Sequence, residues 1–179
     1  MTVDQVQKRT GALLFKGKPV TLLGPELNAG DPAPAFTLTS GDLSTLTPEI
    51  LLDGGKNAAL LIVVPSLDTS VCALESQKFN SRLGELPPSV RAAVVSMDLP
   101  FAQSRWCGAQ GDIKLEMLSD YRNHSFGLNY GLLIEELGFL ARAIVVIGKD
   151  RTVKYVQIVP DVASEPDYDA ALKAAAAAG

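Results

Sequence analysis

The 179-residue chain is short of the residue types that build most metal and hydrolase centres: it has two cysteines, one histidine and one tryptophan. A structural zinc site takes four Cys or His ligands. Cys72, Cys107 and His124 make three, and no carboxylate spacing completes a set. Without a Gly-x-Ser-x-Gly elbow, and with His124 in the polar stretch Arg122-Asn123-His124-Ser125, a Ser-His-Asp hydrolase has no support; His124 reads as a surface or capping residue. Asn123-His124-Ser125 fits a glycosylation sequon, which has no meaning without secretion. A phosphate-binding loop is also missing, because Gly54-Gly55-Lys56 lacks the first glycine and its spacing. Lys/Arg clusters are absent and the net charge is −4, which argues against a nucleic-acid binder. The strongest apolar run, Ala58 to Pro65, is too short to span a bilayer. Met1 to Gly11 is polar and carries Asp4, so it does not read as a signal peptide. The expectation is a cytoplasmic protein; an export signal removed before residue 1 would leave the periplasm open.

What is present is a globular composition, 47% hydrophobic and 20% charged, in a length that suits one domain spanning residues 1–179. Ala12–Phe15 and Val20–Leu23 flank Lys16-Gly17-Lys18-Pro19 and read as an amino-terminal β-hairpin, an extension over residues 1–24. Phe36–Thr39 alternates as a short strand, and Thr47 caps a helix from Pro48 to Leu52. Ala58–Val64 is continuously apolar, as a strand buried on both faces would be. A helix is expected from Cys72 to Leu86, with Cys72, Ser76, Phe79, Leu83 and Leu86 on one face. Strands follow at Val90–Met97 and Leu115–Leu118, with Cys107 between them in a short helix or loop. Asn123–Tyr130 reads as helical, Leu140–Ile147 and Thr152–Val159 as a hairpin, and a last helix starts at Pro166 or Asp167. Strands joined through helices imply a parallel centre, and the late hairpin implies antiparallel edges. The expected class is α/β, a mixed sheet covered by helices.

The two thiols are what remains for chemistry. In a reducing compartment a stabilising disulfide is not expected. A strand ends at Pro65, a loop turns, and a helix begins around Thr69 to Val71, so Cys72 falls in its first turn. Unpaired N–H groups and the dipole favour a thiolate there, which lowers a free-cysteine pKa of about 8.5 to roughly 3.5–7.5. The local pattern leaves two readings level: an activated thiol, or a packed one behind a Thr69 or Ser70 cap. Ionisation alone achieves little. A pKa near 6 raises the thiolate at pH 7 from about 3% to about 90%, roughly thirtyfold. Weaker nucleophilicity takes back roughly tenfold. An efficient thiol enzyme therefore also needs donors aimed at the leaving group. Arg142 stands isolated in the apolar run Leu137–Ile147, where it requires a charged partner or an edge position to snorkel from.

Pro65-x-x-x-Thr69-x-x-Cys72, with Arg142 downstream, resembles the active-site motif of the peroxiredoxin family. Pro65–Ala73, Asp98–Gly108, Leu140–Ile147 and Glu165-Pro166-Asp167-Tyr168 are similar to blocks of its thiol peroxidase subgroup. The resemblance implies a thioredoxin-like fold and a peroxidase cycle with no cofactor and no metal. It makes Cys72 the peroxidatic cysteine and Cys107 the resolving one, joined in an intramolecular Cys72–Cys107 disulfide. Thr69 would bond the peroxide and the thiolate, Pro65 would shield the pocket, and Arg142 would hold the thiolate and polarise the O–O bond. The implied partners are a hydroperoxide, thioredoxin or a similar dithiol reductant, and a second copy in a homodimer, with Ser70, Arg105 and Trp106 near the interface. Tyr130–Phe139 departs from the subgroup, which commonly has a Gly-Pro turn there. The competing readings are a redox sensor or interaction module switched by the same disulfide, and a disulfide carrier. The carrier is disfavoured because no Cys-x-x-Cys pair exists.

Overall fold

In the computed structural model, which describes residues 6–179, Lys16 and Gly17 turn the chain with φ of 51° and 75°. Two consecutive positive φ values make the two-residue hairpin turn whose twist matches its strands, and glycine takes the second position without strain. The strands so joined are β1 (Lys8–Phe15) and β2 (Lys18–Leu23), paired with Phe15 opposite Lys18. The sequence reading of Met1–Gly11 and of the 1–24 extension falls partly on residues 1–5, outside the described residues. Next come β3 (Leu38–Thr39), β4 (Thr45–Leu46), α1 (Pro48–Leu51) and β5 (Ala58–Val63). Then follow α2 (Ser70–Ser81), β6 (Val90–Ser96), α3 (Pro100–Gln110), β7 (Glu116–Ser119) and α4 (Ser125–Asn129). The chain closes with β8 (Leu133–Ile134), β9 (Ala143–Gly148), β10 (Val153–Ile158) and α5 (Tyr168–Ala178).

The main sheet runs β10-β9-β5-β6-β7-β3-β4. β5, β6 and β7 are parallel, while β9 is antiparallel to β5 and β10 to β9, as the sequence implied. Every residue of β5 is buried. Its alternation is still at work: Ala59, Leu61 and Val63 face one apolar cluster with Phe126 and Tyr130, and Ala58, Leu60 and Ile62 face another with Cys72, Phe79 and Leu172. Helices therefore cover both faces, which is why the run shows no polar position. Each of its larger side chains contributes roughly 1.5–3 kcal/mol by leaving water.

Several expectations shift. The helix expected over Cys72–Leu86 begins at Ser70 and ends at Ser81, and Leu83–Glu85 forms a separate 3-10 turn around Gly84, a poor helix former. Thr47 occupies the first cap position without a side-chain cap bond. Phe36 leaves the expected strand, and its ring packs edge-on against Phe126. His124 sits before α4 in a left-handed conformation and caps nothing with its side chain. The Asp120 carboxylate caps that helix instead, accepting from Phe126 N at 3.1 Å and Gly127 N at 2.8 Å. Asp167 does cap α5, accepting from Ala170 N. The unusual segment after Tyr130 supplies β8, which adds to β2 with Leu22 opposite Ile134. Arg142 lies one residue before β9 rather than inside a strand.

The hairpin sheet bears on the site through its end. Leu14 N donates to Pro160 O at 2.8 Å and Val162 N to Leu14 O at 3.0 Å. The turn is thereby docked on the segment after β10, next to Arg142.

Candidate active site

Strand β5 delivers the chain to Pro65, which is buried, and the loop Ser66–Thr69 turns into α2. Thr69 takes the N-cap position in an extended conformation; its side chain makes no cap bond, and Oγ1 donates to Ser66 O at 3.0 Å. Thr69 is exposed, and with its proton given to Ser66 O its hydroxyl keeps lone pairs that can accept. Cys72 lies in the first turn of α2 with none of its surface exposed.

The guanidinium of Arg142 reaches the thiol. Nη2 donates to Cys72 Sγ at 3.3 Å, Nε donates to Val162 O at 2.9 Å, and Nη1 pairs with Glu75. Three partners on three sides fix a side chain that is only 1% exposed. Cys72 belongs to an apolar cluster, and its sulfur accepts a charged donor.

Glu75 was not anticipated. It is fully buried on α2, and its second oxygen, Oε1, has no hydrogen-bond partner among the described residues. Burial pushes its carboxyl up to about 7, with Arg142 pulling the other way. Burial works to lower the Arg142 pKa, but Glu75 and Cys72 together hold it above its ordinary value. The clue in the sequence was spacing: Cys72, Glu75, Ser76 and Phe79 form the buried stripe of α2, so a carboxylate had to fall beside the thiol.

A cavity of about 300 Å³ opens at this point, lined by Phe15, Pro65, Thr69, Val71, Phe139 and Arg142 among others. Its walls are mainly apolar, and Arg142 gives it a charged floor. Phe15 and Phe139 meet edge-on across its rim, 5.8 Å between centroids.

Cys107 is held elsewhere. It sits in the second half of α3, a full helix where the sequence allowed helix or loop. It is half-buried, unbonded, and lines a larger cavity of about 520 Å³ that Cys72 does not reach. Burial pushes the Cys107 thiol up. Cys72 lines neither cavity; the smaller one is joined to it through Arg142, whose guanidinium bonds the sulfur. Pro65, Thr69, Cys72 and Arg142 are therefore gathered, and Cys107, on α3, packs against the apolar cluster that holds Cys72. Of the residues expected at an interface, Ser70 and Arg105 are exposed, whereas Trp106 is 7% exposed and belongs to the core. Among the described residues no group of His, Cys, Asp or Glu is placed to hold a metal ion, and no helix is long and apolar enough to cross a membrane.

Comparison with known proteins gives the same reading. The Redoxin family model matches residues 28–172. A thiol peroxidase of Halalkalibacterium halodurans is 48% identical over 168 residues, covering 93% of this chain and 98% of its own. A thiol peroxidase of Streptococcus pneumoniae is 47% identical, covering 91% and 98%. A solved structure described as a peroxiredoxin-like protein from Aquifex aeolicus superposes with a TM-score of 0.81 at 41% identity, covering 94% of this chain and 95% of that one. The mixed sheet with its hairpin is the thioredoxin-like arrangement of such proteins, and this chain belongs to the Redoxin family, as a peroxiredoxin of the thiol peroxidase subgroup.

Proposed function

We propose that the chain is a thiol-dependent peroxidase that reduces hydrogen peroxide and organic hydroperoxides through Cys72 and Cys107, without a cofactor. The observation that carries this reading is the Arg142 Nη2 donor 3.3 Å from Cys72 Sγ. A hydroperoxide entering the small cavity meets Arg142 at its floor and the Thr69 hydroxyl on its wall. Thr69 accepts the peroxide O–H, while the guanidinium donates to the oxygens and steadies the charge that develops as the O–O bond breaks. The Cys72 thiolate attacks one oxygen; the other leaves with a proton as water or an alcohol. Cys72 becomes a sulfenic acid. Pro65, buried at the loop's start, limits the water that reaches the sulfur.

Resolution follows within the chain. The Cys107 thiol attacks the sulfenic sulfur, the sulfenic oxygen leaves as water, and a Cys72–Cys107 disulfide forms. Bridged cysteines have Cα atoms about 4.4–6.8 Å apart. Both thiols are free here, Cys72 sealed in the apolar cluster against which Cys107 packs, and closing the bond draws the first turn of α2 and part of α3 together. Thioredoxin or a similar dithiol then reduces the bond, which places the cycle in a compartment that keeps such a donor reduced, the cytoplasm. The expected assembly is a homodimer. Exposed Leu99 and Phe101 at the start of α3 are apolar surface for it, and sedimentation at micromolar concentration tests it.

The direct test is a coupled assay with thioredoxin, thioredoxin reductase and NADPH. Consumption of hydrogen peroxide or cumene hydroperoxide is expected, and failure with both overturns the reading. Intact mass after one equivalent of peroxide should fall by two hydrogens, with a peptide linking residues 72 and 107.

A further inference from the structure

The loop that leads to Cys72 and the helix that carries Cys107 are tied to one carboxylate that takes no part in the chemistry. Asp98 lies between β6 and α3. Its Oδ1 accepts from Ser66 Oγ at 2.8 Å. Its Oδ2 accepts from Leu67 N at 2.8 Å and from Ser96 Oγ at 2.9 Å. Its backbone is pinned as well, because Ser119 Oγ donates to Asp98 O at 2.6 Å. Ser96 and Ser119 face each other in register at the ends of β6 and β7, so the anchor is the carboxyl end of two paired parallel strands inside the sheet.

The same anchor reaches α3. Gln103, 1% exposed, donates from Nε2 to Ser96 Oγ at 3.1 Å and to Leu118 O at 2.9 Å. Beyond these ties the contacts are at the surface: Thr69 makes no side-chain cap bond to α2, its hydroxyl donating to Ser66 O, Arg105 faces Asp68 at 3.7 Å, and Gln77 Nε2 donates to Gln110 Oε1 at 2.7 Å. In α3, Ser104, Arg105, Gly108, Ala109 and Gln110 are exposed, and glycine weakens the helix there. Cys72 and Cys107 each sit a few residues past a fixed point, and the two fixed points share Ser96.

We infer that Asp98 is a positioning residue that sets the balance between the two steps of the cycle, holding the Cys72 loop in the arrangement that meets Arg142 and slowing the unwinding that brings Cys72 to Cys107. This rests on the peroxidase reading above. The ionised carboxylate is suited to the task because it only accepts: two of its three side-chain bonds come from the loop and one from β6. An asparagine of the same shape turns an NH2 group toward at least one of those donors, so part of the grip is lost without loss of volume.

The experiment is rapid mixing of the reduced full-length protein with excess peroxide, read by the fluorescence of Trp106, the chain's one tryptophan and the neighbour of Cys107. Wild type should show a phase whose rate scales with peroxide, and then a peroxide-independent phase for disulfide formation. In Asp98→Asn the first should slow by about tenfold and the second accelerate by about tenfold, as expected for weakened bonds to a charged acceptor. At high peroxide, Asp98→Asn should also accumulate less sulfinic acid, seen as a smaller +32 Da fraction, because the sulfenic acid is resolved sooner. Ser66→Ala removes the Oδ1 bond, together with the longer 3.3 Å bond that Ser66 Oγ accepts from Asp68 N, and should shift both phases the same way by about threefold; it decides the matter alone if Asp98→Asn does not fold. A general loosening slows both phases together, and that result, or two unchanged phases, overturns the inference while the peroxidase reading stands. A wild type with no peroxide-dependent phase overturns both.

Discussion

Replacing Arg142 with methionine keeps much of the buried stem and deletes the charge. It removes three bonds at once, to Val162 O, to Glu75 and to Cys72 Sγ. Breaking a buried ion pair by taking one partner away costs about 3–5 kcal/mol, mostly because the other charge is left alone in the interior. Here that charge belongs to Glu75, whose two oxygens would then both lack partners. The penalty is therefore linked to pH. In the wild type the Glu75 carboxyl lies at about 7, above an ordinary 4.5. Folding thus favours the bound proton: this part of the stability is complete below pH 4.5 and is lost as pH rises through 7. The gap converts to roughly 3 kcal/mol. Without the guanidinium the carboxyl is pushed higher still, so the loss grows and extends to higher pH.

Arg142→Met should be less stable than wild type by about 3–5 kcal/mol at pH 8, and by roughly 1 kcal/mol less than that at pH 5, where Glu75 is protonated in both proteins, because pH 8 lies only one unit above the wild-type carboxyl. Asp120, pushed up to about 6 by burial, titrates in both and cancels in the difference. The assay is urea unfolding at the two pH values, followed by Trp106 fluorescence. A second variant, Arg142→Met with Glu75→Leu, should recover most of the loss at pH 8, since an apolar pair of similar volume often replaces a buried ion pair at no net cost. An equal deficit at pH 5 and pH 8, or a double variant as unstable as the single one, refutes the reasoning. Either result would mean that Glu75 is not the buried charge that Arg142 compensates.

Three further outcomes are expected. Cys72→Ser should abolish peroxide consumption in the thioredoxin-coupled assay while leaving the fold intact by circular dichroism. Cys107→Ser should react with one equivalent of peroxide and then stall with thioredoxin; undiminished steady-state cycling would remove its resolving role. Gly24→Ala should lower the melting temperature by about 5–10 °C, corresponding to about 2–3 kcal/mol. Gly24 has φ of 105°, and a Cβ built there comes 1.9 Å from Leu128 O, so the seam between β2 and the end of α4 would have to open.

Elements whose stabilising contacts are local or uniform could be read directly. Strand β5 announces itself because burial on both faces leaves no polar residue in it, and the β1–β2 turn because Gly17 permits a positive φ. Strand β3 keeps only Leu38–Thr39 of the alternating Phe36–Thr39, and β4 and β8 have two residues each and no pattern of their own. They exist through their partners, as when Leu133 and Ile134 extend the hairpin sheet, and pairing of that kind is tertiary information. The gathering of Pro65, Thr69 and Cys72 was legible because one strand, one loop and one helix start carry all three. The separate setting of Cys107 was not, because the packing of α3 against the sheet decides it.

Arg142 shows where physical reasoning from a sequence reaches furthest. A guanidinium in an apolar run needs an anion, and that need follows from the residue types alone. What chemistry alone does not give is the address. Helix α2 provides it twice, because residues three apart in a helix share a face: Cys72 and Glu75 both meet the one buried cation, through Nη2 and Nη1. A single positive charge is then shared between a structural acid and a thiol. That division leaves the arginine with a buried partner of its own whatever happens at the thiol, because Glu75 stays beside it. The same carboxylate, held above its ordinary range by burial, is the group through which pH reaches the arginine that lines the smaller cavity.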